Sequence, residues 1–242
     1  MADTAKTSVL QEETRIFNTP QWIVEHSNAY QWMKKKGFKT EMEMRKWCSD
    51  NYIDFWDEMA QTYADFELII VDDASTDGSV AVIESYHDGR IKLLRNSTNL
   101  GAALSRNRGL EVSCGAYIAM QDADDRSMPT RLAQQVQYLE AHPELQAVGT
   151  WATAFLDDTS SPSCRHSHPT DTREIADALI ARKHCFTGAS LMCRAAELKR
   201  LGGYRPLVGA EDHDLLFRLT DEQLCLGNVP DYLYCVRSHA MR

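Results

Sequence analysis

Hydrophobic positions change their spacing near residue 66 of this chain. Over residues 1–65 apolar side chains recur three and four apart, the repeat of a helix face, and no β-branched run is long enough for a buried strand. Trp22, Trp32, Trp47 and Trp56 all fall here. Thr40 with Glu43 forms a capping box, followed at helical spacing by Met44, Trp47 and Cys48. Ile53, Trp56, Met59, Ala60 and Tyr63 continue the pattern on a further helix. We read the aromatics as packing residues of a helical N-terminal segment.

Downstream, strands alternate with helices. FELIIV, over 66–71, is a continuous apolar run of the kind buried on both faces of a parallel sheet. Helix signals over 79–86, a short strand IKLL and a helix over 101–112 follow. AYIAM, over 116–120, is the next strand; Pro129 opens a helix to about residue 142, and a strand over 147–154 comes after it. This alternation implies right-handed crossovers. The expected fold class is therefore α/β, a mainly parallel Rossmann-like sheet flanked by helices over 66–242.

Both apolar strands run into acid, FELIIV into Asp72 and Asp73, AYIAMQ into Asp122, Asp124 and Asp125. In a parallel sheet such residues gather outside the carboxyl ends of the strands, where ligands bind. Five carboxylates on one rim repel one another unless a cation or hydrogen-bond donors neutralise them. Hard cations such as Mg²⁺ or Mn²⁺ take one or two carboxylates plus substrate phosphates, which Asp122 and Asp124 could supply. The plainer alternative is an acidic turn ahead of the helix at Pro129.

Composition narrows the partners. The 242 residues, 43% hydrophobic and 25% charged, are those of an ordinary globular protein with one sizeable core. A net charge of -9 argues against wrapping nucleic acid or lying on anionic lipid. No apolar run approaches the roughly 18 to 20 residues of a membrane span, and the first residues lack a signal-peptide core. Seven cysteines, odd in number and without a C-x-x-C pair, fit reduced thiols in a reducing compartment. The expectation is a cytoplasmic protein, or one peripheral to a membrane, with no integral membrane segment.

The stretch 61–239 resembles the family 2 inverting glycosyltransferases of the GT-A fold. The resemblance is carried by FELIIVDDASTDGS, NLGAALSRNRGLEVSCGAYIAMQDADD, TGASLMCRAAELKRLGGYRP, GAEDHDLLFRL and LYCVRSH, in that order. It implies transfer of a sugar from a nucleoside diphosphate, a UDP-sugar favoured, to a carbohydrate or lipid-linked acceptor. Asp73, with Asp72 beside it, would contact the base or ribose. Asp122 and Asp124 would be the D-x-D pair holding a divalent cation, Mg²⁺ or Mn²⁺, and the sugar diphosphate, with Asp125 adjacent. Asp212 would be the catalytic base and Glu211 its neighbour, and His239 a further metal ligand. Arg106 and Arg108 could stabilise the departing diphosphate; a solvated helix face is the alternative for them, and a helix N-cap for Asp212.

Cys164, His166 and His168 lie close together but in a Ser- and Pro-rich stretch read as a loop, and the neighbours His184 and Cys185 are not read as a nucleophile pair. The chain also departs from the family pattern. The apolar strand with which members begin has no counterpart before residue 61; residues 18–66 instead resemble the N-terminal helical region of AMP-forming acetyl-CoA synthetases, without that enzyme's phosphate-binding loop. Loss of a central strand would expose an edge beside FELIIV and weaken donor contacts. A catalytically impaired remnant, acting as a nucleotide-sugar-binding or protein-interaction module, is thus the second expectation; a nucleotidyltransferase, lacking a basic triphosphate loop, ranks third.

Overall fold

A computed structural model describes residues 63–156, 162–207, 209–221 and 225–238. The tryptophans and the capping box of the first 62 residues, and His239, lie outside the described residues.

The apolar run becomes β1 (Leu68–Asp72), followed by α1 (Ser79–Glu84) and β2 (Ile91–Arg95). β1 and β2 pair in parallel, Leu68 with Ile91 through Asp72 with Arg95, and form a sheet of their own. From β2 the chain enters α2 (Ala102–Val112), which packs across β1. Gly109 faces β1, where a Cβ would make ordinary contact with Val71 Cγ2 at 3.5 Å and Ile69 Cγ2 at 3.7 Å.

Beyond α2 come β3 (Tyr117–Ala119), β4 (Arg126–Ser127), α3 (Arg131–Ala141), β5 (Leu145–Leu156), β6 (Pro162–His166) and α4 (Thr172–Ile180). A 3-10 turn (Gly188–Ser190), β7 (Met192–Arg194), α5 (Ala195–Arg200), α6 (Glu211–Asp221) and β8 (Cys225–Ser238) complete the described elements. The six strands form one sheet, ordered β3-β7-β5-β8-β4, with β6 on β5. Its middle is the long parallel pair β5–β8, Leu145 with Cys225 to Leu156 with Ser238.

The α/β class holds, but the expected mainly parallel sheet gives way to a mixed one: β3–β7, β4–β8, β5–β6 and β5–β7 are all antiparallel. Apolar periodicity reports which faces are buried and carries no strand direction. A second correction concerns Cys164 and His166, expected in a loop. They lie in β6, because the long edge of β5 offers backbone partners that outweigh the Ser- and Pro-rich composition, and Pro162 sits at the strand's first position, where no ladder donor is needed. The six described cysteines form no disulfide. Among the described residues no helix is long and apolar enough to cross a membrane.

The core lies on the two faces of the larger sheet, with Ala147, Ile175, Leu198, Leu215 and Leu226 in one cluster and Leu139, Val148, Val229 and Leu233 in another. Among the described residues no strand pairs with the second edge of β1 or the outer edge of β3. A carboxylate bridges the interval instead: Glu67 Oε1 accepts from the Cys114 and Gly115 amides at 2.6 and 3.1 Å, while Oε2 meets Lys92 Nζ at 2.6 Å.

Candidate active site

The acids after β1 are fixed by the start of α2. Asp73 Oδ1 accepts from Leu100 N at 2.8 Å and Asn96 Nδ2 at 2.6 Å, and Oδ2 from Gly101 N at 2.9 Å. Burial opposes its charge, but these donors prevail and hold the carboxyl below its ordinary value. Asp72 is buried, its carbonyl accepting from Asn96 N at 2.8 Å.

Arg106, one turn into α2, reaches both remaining acidic groups. Nη2 meets Asp122 Oδ1 at 2.9 Å; Nη1 meets Asp212 Oδ1 at 3.0 Å and Glu211 Oε1 at 3.4 Å. Its guanidinium lies 5.2 Å from the centre of the Tyr204 ring. One cation thus joins the loop after β3 to the first turn of α6. Arg108 turns the other way, to the Arg95 carbonyl at 3.1 Å and to Asn96 Oδ1.

Asp122 N–H donates to the Tyr234 hydroxyl at 3.1 Å. Asp125 Oδ1 accepts from Arg237 N at 2.7 Å, and the Asp124 carbonyl accepts from Arg237 Nε at 2.9 Å. Burial, then the neighbouring charges of Asp122 and Asp124, push the Asp125 carboxyl up to about 6. That is an excess of oxygen-borne negative charge of the kind a hard cation relieves. Among the described residues no three His, Cys, Asp or Glu side chains converge as a ready-made metal cage. The donor set fits a cation held by one or two carboxylates and completed by substrate phosphates.

Asp212 is the second residue of α6, inside the helix rather than at its cap. Burial raises its carboxyl pKa, and Asp122 and Glu211 add to the effect against the opposing charge of Arg106. Gly188 lies directly against it: a Cβ there would fall 2.6 Å from Asp212 Oδ2 and 2.9 Å from Cγ. The absence of a side chain at residue 188 is what makes room for the carboxylate.

Four contributors were not singled out from the sequence. Arg131, 1% exposed, donates to the Met120 carbonyl at 2.6 Å, to Gln121 Oε1 at 3.1 Å, to Ser127 Oγ at 2.8 Å and to Gln135 Oε1 at 2.9 Å. Gln135 passes the network to the carbonyls of Val148 and Ser190, and Tyr234 lies under the Arg131 guanidinium at 4.8 Å. Together they set the loop carrying Asp122. The signal was available: Arg131 and Gln135 are four apart on the face that also buries Leu139, a polar pair on an apolar stripe. Gly188 gave no such signal, since its role is a volume.

His168, on the loop after β6, is buried with Nε2 2.9 Å from Thr187 Oγ1. Burial, then the nearby His184 and His166, lower its pKa to about 3.

The profile of Glycosyl transferase family 2 matches residues 55–201. Among curated proteins, EpsE of Bacillus subtilis, named as a glycosyltransferase, is 37% identical over 187 residues, 74% of this chain and 65% of EpsE. The N-terminal segment matches an acetyl-coenzyme A synthetase of Methanothrix thermoacetophila, 83% identical over 66 residues, 27% of this chain and 10% of the synthetase. The chain therefore spans less than two thirds of either relative. The mannosyltransferase PcManGT from Pyrobaculum calidifontis, solved with GDP-Man and Mn²⁺, shares the fold at a TM-score of 0.56, with 23% identity over 77% of this chain and 52% of that one. TarS 1-349 of S. aureus, solved with UDP-GlcNAc, does so at 0.61, with 19% identity over 78% of this chain and 55% of that one. These likenesses establish the GT-A fold, and with a family profile covering more than half of its residues the chain belongs to glycosyl transferase family 2.

Proposed function

We propose that this protein transfers a sugar from a nucleoside diphosphate, a UDP-sugar favoured, to a hydroxyl of a carbohydrate or lipid-linked acceptor, with inversion at the anomeric carbon and with a divalent cation, Mg²⁺ or Mn²⁺. The observation that carries the reading is Arg106, which holds Asp122 and Asp212 within one hydrogen-bonded cluster although they lie on different elements. A donor-side carboxylate and a proton acceptor are thereby brought together, as displacement at one carbon requires.

Asp212 is the base. It takes the acceptor proton as the hydroxyl oxygen attacks the anomeric carbon, and its raised pKa suits that task. The bond to the diphosphate breaks on the opposite face. Arg106 lies where its positive charge stabilises the charge developing on the leaving group. Asp73 and Asp72 are assigned to the nucleoside, Asp122, Asp124 and Asp125 to the cation, and Arg108 to positioning Asn96 beside Asp73. The cation, when bound, supplies charge neutralisation for the diphosphate. The Mn²⁺ and nucleotide sugars named with PcManGT and TarS support these assignments.

Calorimetric titration of UDP with Mn²⁺ tests the donor site; no binding at millimolar ligand overturns it. Asp212→Asn is expected to cut transfer by about 10²–10⁴-fold with donor binding intact. Retained turnover removes Asp212 from its role. The divided sheet favours a second reading, an impaired nucleotide-sugar-binding module. A UDP and Mn²⁺-dependent rise in Tm without turnover in the unaltered chain would identify that case.

A further inference from the structure

Beside Asp212 the surface opens into a pocket of about 260 Å³ that neither Asp73, Arg106 nor Asp122 lines. Its wall carries Glu211 and Asp212 together with Lys183, His184 and His213, over apolar residues that include Phe186 and Leu216. In a chain with a net charge of -9 this gathering of basic groups is local. The two acids already share Arg106, at 3.4 and 3.0 Å, whereas Lys183 forms no ion pair among the described residues. The basic groups are also held in place. At the end of α4 the chain turns through Arg182, with φ at 54°, and Lys183 N–H donates to the Ala178 carbonyl at 2.8 Å. The His184 ring lies edge-on to His168 at 4.8 Å and to His166 at 5.5 Å.

We infer that this pocket receives the acceptor as a sugar whose anomeric carbon carries a phosphate or diphosphate ester. The inference rests on Asp212 being the base. The volume is at the small end for ligand sites and fits one sugar ring with its ester rather than an oligosaccharide. In the step it serves, the acceptor hydroxyl oxygen bonds to the donor's anomeric carbon, its proton passes to Asp212, and the carbon–oxygen bond to the nucleoside diphosphate breaks with the electron pair leaving on the diphosphate. The acceptor's own ester takes no part; it is gripped by Lys183 with the imidazoles of His184 and His213.

The full chain with a UDP-sugar and Mn²⁺ is offered a decyl diphosphate glycoside, a hexose 1-phosphate and the same hexose as its methyl glycoside. The two esterified acceptors are expected to be used at least tenfold better, by kcat/KM, than the methyl glycoside. Lys183→Glu is expected to raise their KM at least tenfold while UDP binding measured by calorimetry is unchanged. Equal use of the methyl glycoside, or an unmoved KM in Lys183→Glu, overturns the assignment. If UDP does not bind, the donor reading fails separately, and titration with glucose 1-phosphate still reads the pocket. A saturable shift of the His213 imidazole NMR signals, lost in Lys183→Glu, supports it, and unmoved signals overturn it.

Discussion

In the two-stranded sheet Asp72 is the only buried residue of β1, whereas Ala147 and Val148 of β5 and Leu226 and Leu233 of β8, at the middle of the six-stranded sheet, are 1% exposed or less. Among the described residues the first sheet pairs two strands and packs mainly against α2, while the second carries a core cluster on each face. Yet Asp72 and Asp73 belong to the thin region and Asp212 to the solid one. The link between them rests on α2, whose first turn binds Asp73 and whose Arg106 binds Asp122 and Asp212, and on Glu67 spanning β1, β2 and the approach to β3. The comparison teaches that Asp212, the proposed base, is held by the fold's main core, while Asp73, the proposed nucleoside contact, is held among the described residues by a few hydrogen bonds. Donor affinity is accordingly the property most exposed to damage.

The largest effect that would sharpen this contrast is in the solid region. Leu233→Ala, fully buried in β8, is expected to cost about 2–5 kcal/mol in urea unfolding, while Ile69→Ala in half-buried β1 is expected to cost about 1–2 kcal/mol. Equal costs would break the contrast. Next comes Gly188→Ala, whose methyl would displace the Asp212 carboxylate. We expect kcat to fall by about 10²-fold while UDP affinity stays unchanged, because the methyl would meet Asp212, whereas Asp73 is held by Asn96, Leu100 and Gly101.

Hydrogen exchange gives a third and finer reading. Amides of β1 are expected to open at lower free energy than those of β5 and β8, and identical protection would refute two levels of stability. Acid effects separate the sheets by pH. The His168 pKa, lowered to about 3 from the ordinary 6.5, means that the unfolded chain takes up a proton where the folded one does not. Its stability is present above pH 6.5 and falls as pH drops from 6.5 towards 3. His168→Gln should flatten Tm over that window. Glu67 is held below its ordinary 4.5, first by Lys92 and then by the Cys114 amide, so its contribution is present above pH 4.5 and is lost as pH falls through its lowered value. Glu67→Gln should alter the slope only below pH 4.5, by a few tenths of a kcal/mol at most for so exposed a pair.

Much of this was legible in the residues. The continuous run before Asp72 and the sequence AYIAM announced their strands, but not their depth: apart from Asp72 the residues of β1 are half-buried, and Ala119 of β3 is exposed. The helix opened by Pro129 began at Arg131, within the usual slack of a helix start. Strand direction was not legible, nor was β6, since both depend on which neighbour a backbone finds. In the site, the acids after AYIAM were legible as a rim cluster and Asp212 was singled out by the family resemblance, but Arg106 could be read as a phosphate contact or a solvated helix face, and its double engagement depends on the placement of α6. Gly188 could be read only from space.

The pairing of Leu145 with Cys225 has a consequence for how the protein comes into being. The middle of its main sheet cannot close until β8, far along the chain, has been synthesised and has come back to β5, so closure waits on a long loop. α6 stands immediately before that strand, and Asp212 is seated with it. A nascent chain can shape the surroundings of Asp73 early, but it seats Asp212, the proposed proton acceptor, late.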